Sequence, residues 1–211
     1  MAVIMQHFYI LTIFIFFLSC KNDIHSDKEK IVTTKDGNTN VFYKNSFENG
    51  FIKDSIAAFD FDKGIEQGSQ LNFKSSRAFF ESANKQEPNN TIIINALGNV
   101  NADLKEFGKS YEYFEKSLRI DSLYAATYLN YGFSKARNDE RKKAIELYKK
   151  GISLERSEEK RGYFHYNMSR AYYQLYDDEN AKLHINKSIE LVNDEVLKKE
   201  IIKFKEAINK N

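Results

Sequence analysis

The sequence predicts an all-α fold, a solenoid of about four helix-turn-helix units in series with a C-terminal capping helix. Three observations predict it. Gly64, Gly98 and Gly132 recur every 34 residues, and Phe80, Phe114 and Tyr148 keep the same interval. Small residues hold the beat between them: Ser76, Ser110 and Ala144, then Ala83, Ser117 and Gly151. A fourth copy arrives three residues late, as Ser169, Ala181, Ile185 and Ser188. Such a period means one supersecondary unit per repeat, each too small to bury its apolar face alone and stacked on its neighbours instead.

The first element is not part of that stack. None of the 32 basic and 30 acidic side chains lies in residues 1–20. This stretch holds an apolar run from Phe8 to Leu18, then Ser19-Cys20, then the polar Lys21-Asn22-Asp23. Eleven residues suit the core of a signal peptide and fall short of the ~20 needed to span a bilayer. The single cysteine, behind a small residue at the end of that core, resembles the acylation site of bacterial lipoproteins. Phe17 where leucine is preferred, and a leader without Lys or Arg, depart from that pattern. The resemblance implies a signal peptide over 1–19, a lipidated Cys20 as first mature residue, and acyl chains anchoring the protein to a membrane. It implies a bacterial cell envelope location; Lys21 rather than Asp after the cysteine favours the outer membrane.

Residues 20–50 then read as a flexible tether, rich in Asn, Asp, Lys, Ser and Thr. About 30 such residues have a root-mean-square span of about 30 Å. From Phe51 to Phe61 the pattern becomes helical and leads into the domain at 51–211. The repeat units fall at about 57–90, 91–124, 125–158 and 162–195. In the first three, the small residue and the aromatic four places on share one face of the second helix, as Ala181 and Ile185 do in the fourth. Glycines inside the first helices cost up to about 1 kcal/mol relative to alanine, so three in register indicate close packing there. Leu197, Ile201, Phe204 and Ile208 form an apolar stripe at intervals of four, three and four, with Asn193 or Asp194 available as its cap. This last helix gives the stack its polar outer face.

The 34-residue period, the pairs Leu97-Gly98 and Tyr131-Gly132, Tyr172, the small-x3-aromatic spacing and Pro88 resemble the tetratricopeptide repeat, W-x2-L-G-x2-Y…A-x3-F…P. Gln67, Asn101 and Lys135 replace the tyrosine elsewhere, and Ser122 and Arg156 stand where the proline would recur. The resemblance implies that the exposed face of the first helices lines a concave groove for a protein or peptide ligand. The candidate groove residues are Asn95 and Asn99 in the second unit, Asn130, Phe133 and Arg137 in the third, and Tyr166, Arg170 and Tyr173 in the fourth. Asparagine can pair with a peptide backbone as donor and acceptor. Arginine and tyrosine are common interface anchors. The other reading keeps the asparagines solvated and puts Phe133 and Tyr166 in the core. The lysine–asparagine clamp of chaperone-binding members is absent.

Chemistry is sparse. A net charge of +2, with both signs mixed along the helices, leaves no footprint for nucleic acid or for polybasic docking to lipid. His165 and His184 lack metal-ligand spacing, and packing explains them. Gly64 and Gly68 lie within helix-period sequence and not in a phosphate loop. Asp177-Asp178-Glu179 lacks the alternation of a calcium loop and reads as a helix cap. Asp54-Ser55-Ile56 and Asp121-Ser122-Leu123 match a short O-glycosylation pattern, and read equally as a cap and an inter-repeat turn. No cofactor, metal or catalytic residue is expected. The functional expectation is a membrane-tethered scaffold that binds a partner protein in envelope assembly or organisation. Its rival is an enzyme, or an enzyme accessory, acting on an envelope polymer through groove carboxylates.

Overall fold

The computed structural model describes residues 30–33, 39–42 and 51–210. Cys20 and the signal segment lie outside the described residues. Two short strands, β1 (Lys30–Thr33) and β2 (Thr39–Phe42), pair antiparallel with Lys30 opposite Phe42 and Thr33 opposite Thr39. This ribbon falls within the segment read as a tether. Its sequence signal, the turn dipeptide Asp36-Gly37 between two β-prone runs, is a hairpin cue that the compositional reading passed over.

From Ser55 the chain forms helical hairpins. They are α1 (Ser55–Ser69) with α2 (Phe73–Gln86), α3 (Thr91–Asp103) with α4 (Phe107–Ile120), α5 (Ala125–Arg137) with α6 (Arg141–Leu154), and α7 (Glu158–Gln174) with α8 (Asp178–Leu191). The closing helix is α9 (Glu195–Asn209). Phe51 to Asp54 are not helical, contrary to the period reading. Ile52 is instead buried in the core, and Asp54 caps α1 by accepting from Ile56 N and Ala57 N at 2.9 and 2.8 Å. Asn90, Ser157, Asp177 and Asp194 cap α3, α7, α8 and α9 through their side chains.

Every turn inside a hairpin has the same form. The residue after the turn donates to a carbonyl five places back: Asn72 to Gln67, Glu106 to Asn101, Glu140 to Lys135, and Asp177 to Tyr172, at 2.8–3.0 Å. The residue before each donor is left-handed, with φ between 60° and 65° at Leu71, Lys105, Asp139 and Tyr176. This helix-ending motif normally takes glycine. Here none of the four is glycine, so the turns gave no composition signal although they keep the repeat interval.

The glycines receive the aromatics. A Cβ on Gly64 would stand 2.5 Å from the ring of Phe80, and one on Gly98 would stand 2.5 Å from the ring of Phe114. Gly132 meets Tyr148 in the same way. All three rings are fully buried. Hydroxyls satisfy the carbonyls that such close helices leave between them: Ser76 Oγ donates to Gly64 O at 2.8 Å, and Ser188 Oγ to Gly162 O at 2.8 Å. At the places of the fourth hairpin equivalent to Gly64 and Ser76 the roles reverse, with Ser169 Oγ donating to Ala181 O at 2.7 Å.

The chain divides between Asp121 and Ser122 into two compact units. The first holds α1 to α4 around Ile52, Phe61, Phe80, Ile93, Leu97 and Val100, with Phe61 and Phe80 ring centroids 5.4 Å apart. Arg77 spans its two hairpins, donating from Nη1 to Glu106 Oε1 at 2.9 Å and to Asn101 Oδ1 at 3.3 Å. The second unit holds α5 to α9. Arg141 Nε donates to Gln174 Oε1 at 2.9 Å across its hairpins, and Tyr148 meets Phe164 edge-on at 6.4 Å. Leu197, Ile201, Phe204 and Ile208 are the buried stripe of α9, as the spacing predicts.

Candidate functional site

In the second unit the first helices α5 and α7, with α9 beside α7, gather most of the candidate residues. Phe133 on α5 and Arg170 on α7 hold the same repeat position, one residue after Gly132 and Ser169 respectively. Stacking places Arg170 Cζ 6.0 Å from the Phe133 ring centre and 5.7 Å from that of Tyr166, one helical turn earlier. Arg137 Cζ also lies over the Phe133 ring, 5.6 Å from its centre. Phe204 of α9 completes the cluster. It meets Tyr166 edge-on at 6.0 Å and Tyr173 edge-on at 5.6 Å. The spacing of α9 marked Phe204 as core, and no sequence signal joined it to this face.

Arg137, Arg170 and Tyr173 are half-buried, whereas Phe133 and Tyr166 are buried, at 4% and 2% exposure. The last two therefore form the floor, and the arginines and Tyr173 form the accessible part. Arg170 Nη1 is enclosed and has no hydrogen-bond acceptor. The aromatic quadrupoles stabilise its charge in part, but a guanidinium N–H removed from water without an acceptor is costly. Its field reaches its neighbours: burial pushes the Tyr148 and Tyr166 hydroxyls up, and the Arg170 charge opposes that rise in both.

The asparagines are placed differently from the expectation of a solvated or groove-lining face. Asn95 and Asn99 belong to the other unit and are 0% and 2% exposed, and Asn130 is fully buried. The ten residues Ile93 to Ala102 are all buried, so α3 is enclosed on every side. A period cannot distinguish a groove face from a covered one when the helix has no exposed side. Asn101 and Asn167 satisfy themselves on the carbonyls one turn back, Leu97 O at 2.7 Å and Tyr163 O at 2.9 Å. Both side-chain atoms of Asn95, and Oδ1 of Asn99, have no such partner.

The structure also joins two residues that the sequence kept apart. His165 on α7 and His184 on α8 bring their Nδ1 atoms to 2.8 Å, and Tyr172 stacks on His184 with centroids 5.4 Å apart. Among the described residues no three His, Cys, Asp or Glu side chains group as metal ligands, and no helix is long and apolar enough to cross a membrane. Asp177 accepts from Asn180 N, the capping role expected of the acidic run.

The crystal structure of MamA protein is similar over 74% of this chain and 87% of its own, with TM-score 0.53 and 18% identity. A second MamA crystal structure gives 0.51 over 70% and 92%, at 18% identity. The MamA RS-1 ArsTM double mutant gives 0.51 over 63% and 72%, at 20% identity. At these identities the likeness is one of fold. No curated protein matches the sequence. Among known families, residues 93–122 match the tetratricopeptide repeat. That segment is the hairpin α3–α4, and its turn geometry and glycine–aromatic contact recur in the hairpins around it, so the chain carries a tetratricopeptide repeat within a series of like hairpins.

Proposed function

We propose that this protein holds a partner protein through the face formed by α5, α7 and α9, and that the partner presents a carboxylate to Arg170. The tetratricopeptide fold is in general a protein-interaction scaffold, and the described residues carry no recognised catalytic constellation. One observation supports the reading above the rest: Arg170 Nη1 is enclosed between aromatic rings without an acceptor. An arginine fork matches a carboxylate in geometry and charge. Phe133, Tyr166 and Phe204 supply the apolar floor on which the rest of a bound segment would lie. The rival reading, an enzyme acting on an envelope polymer, needs two facing carboxylates. One carboxylate, Glu200 on α9, bears on Tyr166, and the other side chains gathered on this face are aromatic and basic, which favours binding. We place the protein in a bacterial envelope, anchored by acylated Cys20, on the strength of the N-terminal sequence pattern.

The test of the face is the double variant Arg170→Ala with Tyr173→Ala, scored for partner crosslinking in intact cells and for helical content. Loss of crosslinking with helicity retained is expected, since both side chains are half-buried and neither is a stacking aromatic of the repeat. Full capture by the folded variant would place the site elsewhere. Arg170→Lys separates charge from geometry, because an ammonium keeps the charge and loses the bidentate fork. The anchor is tested by Cys20→Ser: release from membranes, or an unprocessed precursor, is expected, and an unchanged detergent partition with unchanged mature mass refutes it.

A further inference from the structure

The two half-buried histidines of the last hairpin face each other nearly head-on. Their ring centroids are 5.0 Å apart with planes inclined by 27°, and the Nδ1 atoms are 2.8 Å apart. That centroid distance is close to the nitrogen gap plus one ring radius on each side, so the two nitrogens lie along the line of centres. This is the geometry of an N–H···N hydrogen bond. A metal chelate would need lone pairs that converge on a common point. Only one arrangement satisfies the pair at neutral pH: one ring carries its proton on Nδ1 and donates it, and the other accepts.

We propose that His165 and His184 form an acid-sensitive latch between α7 and α8, closed by one proton held between the rings and opened when a second is bound. The first added proton turns one ring into an imidazolium, binding at a free Nε2, and leaves the Nδ1 hydrogen bond intact. The second must sit on the accepting Nδ1. Two N–H groups, both positively charged, then point at each other. The surroundings favour opening over retention of charge. Among the described residues, Arg161 on α7, Lys187 on α8 and Lys149 on α6 are the charged groups that bear on the pair, and no carboxylate does. Tyr172 of α7 lies flat on His184, its ring inclined by 6°, so separation of the imidazoles also disturbs the packing of the hairpin.

Burial, and then the neighbouring histidine and cations for His165 and the cations for His184, hold both rings well below the ordinary 6.5, at about 4. The folded hairpin thus binds protons less readily than the unfolded chain. Its stabilisation by the neutral pair is present above about 6.5 and is lost as the pH falls toward about 4.

The experiment is a nuclear magnetic resonance titration of the histidine rings in the full chain, with amide-exchange protection factors measured at each pH. The expected result is two coupled steps, both below the ordinary histidine range. Protection in α7 and α8 should fall earlier than in α1 and α2, which serve as the control for general acid loosening. In the double variant His165→Phe with His184→Phe, which keeps rings on Tyr172 and cannot titrate, the early loss should vanish. If that variant does not fold, His165→Asn leaves one titrating ring and should abolish the second step. Independent titration of the two rings near 6.5, or an equal early loss in a variant without the pair, overturns the proposal.

Discussion

Replacement of Gly98 by alanine sets two opposing effects against each other in one methyl group. In an open helix the change stabilises by about 1 kcal/mol, because glycine loses more backbone freedom on folding. In α3 the new methyl would lie 2.5 Å from Phe114 Cε1, 2.7 Å from Cδ1 and 2.8 Å from Cζ. Phe114 is fully buried and cannot swing away without displacing its neighbours. Overpacking of this kind costs typically about 1–3 kcal/mol, so Gly98→Ala should destabilise by about 1 kcal/mol on balance. Gly108 is the internal control: it lies in α4, where an added methyl would meet nothing within 4 Å, and Gly108→Ala should stabilise or be neutral. The two substitutions are chemically identical, so opposite signs isolate the ring contact. The fourth hairpin suggests the rescue. There the glycine position is Ser169 and the aromatic position is Ile185, both fully buried. Gly98→Ser with Phe114→Ile should therefore cost less than the sum of its parts, a coupling of about 0.5–3 kcal/mol in a double-mutant cycle. Urea denaturation followed by circular dichroism is the assay. A Gly98→Ala midpoint raised as far as that of Gly108→Ala would refute the contact.

Phe114→Ala should cost about 3–5 kcal/mol, and exchange protection should fall across α3 and α4 together because each hairpin rests on its neighbour. Tyr176→Gly should stabilise: its left-handed φ of 60° strains a side chain that is 89% exposed and packs on little, and relief of such strain is worth at most about 1–2 kcal/mol. Asn90→Ala should cost about 1 kcal/mol or more, since Asn90 Oδ1 caps α3 and its Nδ2 donates to Phe51 O at 2.9 Å and Glu87 Oε1 at 2.8 Å. Burial pushes the Glu87 carboxyl up, but hydrogen bonds from Asn90, Asp54 N and Lys53 N outweigh it and hold the group below the usual range. Its contribution is thus present at neutral pH and lost in acid, so Glu87→Gln should destabilise at pH 7 and converge on the unsubstituted protein as the pH falls.

The hairpins were legible because their contacts repeat. A glycine opposite a ring, a small residue one turn before that ring and another after it are demanded by helix–helix distance, and the same contact recurs in the first three units. The helix boundaries follow closely, down to Asp177 and Asp194 as caps. What the composition did not reveal depends on geometry without a composition signal. The left-handed turn residues are Leu71, Lys105, Asp139 and Tyr176, four side chains with no common chemistry. The burial of Asn95 and Asn99 follows from the enclosure of α3, which a face-by-face reading of one helix does not contain. His165 and His184 meet because α7 and α8 are antiparallel, and Tyr128 and Leu147 stand at the equivalent places of the hairpin before, so no repeated chemistry marked them as a pair.

Recognition, by contrast, must be sought where the period breaks. Ile65, Asn99, Phe133 and Arg170 occupy one repeat position, and Phe61, Asn95, Leu129 and Tyr166 another. Positions that set the helix–helix distance keep their chemistry through the first three units and change together in the fourth, since altering one alone costs stability. The first row changes from aliphatic to amide to aromatic to cationic along the chain, and the second from aromatic to amide to aliphatic to aromatic, so packing alone does not dictate them. Within the second unit that freedom yields one local result. Phe133 and Arg170, equivalent residues in successive hairpins, are no longer alike, and lie against each other at 6.0 Å as ring and guanidinium. A stack built only for stability would put a second apolar side chain in the place of Arg170 and remove an enclosed, unaccepted N–H. Arg170→Met is therefore expected to leave the fold at least as stable while weakening partner capture. Loss of stability without loss of capture would instead make the guanidinium a packing element of the repeat.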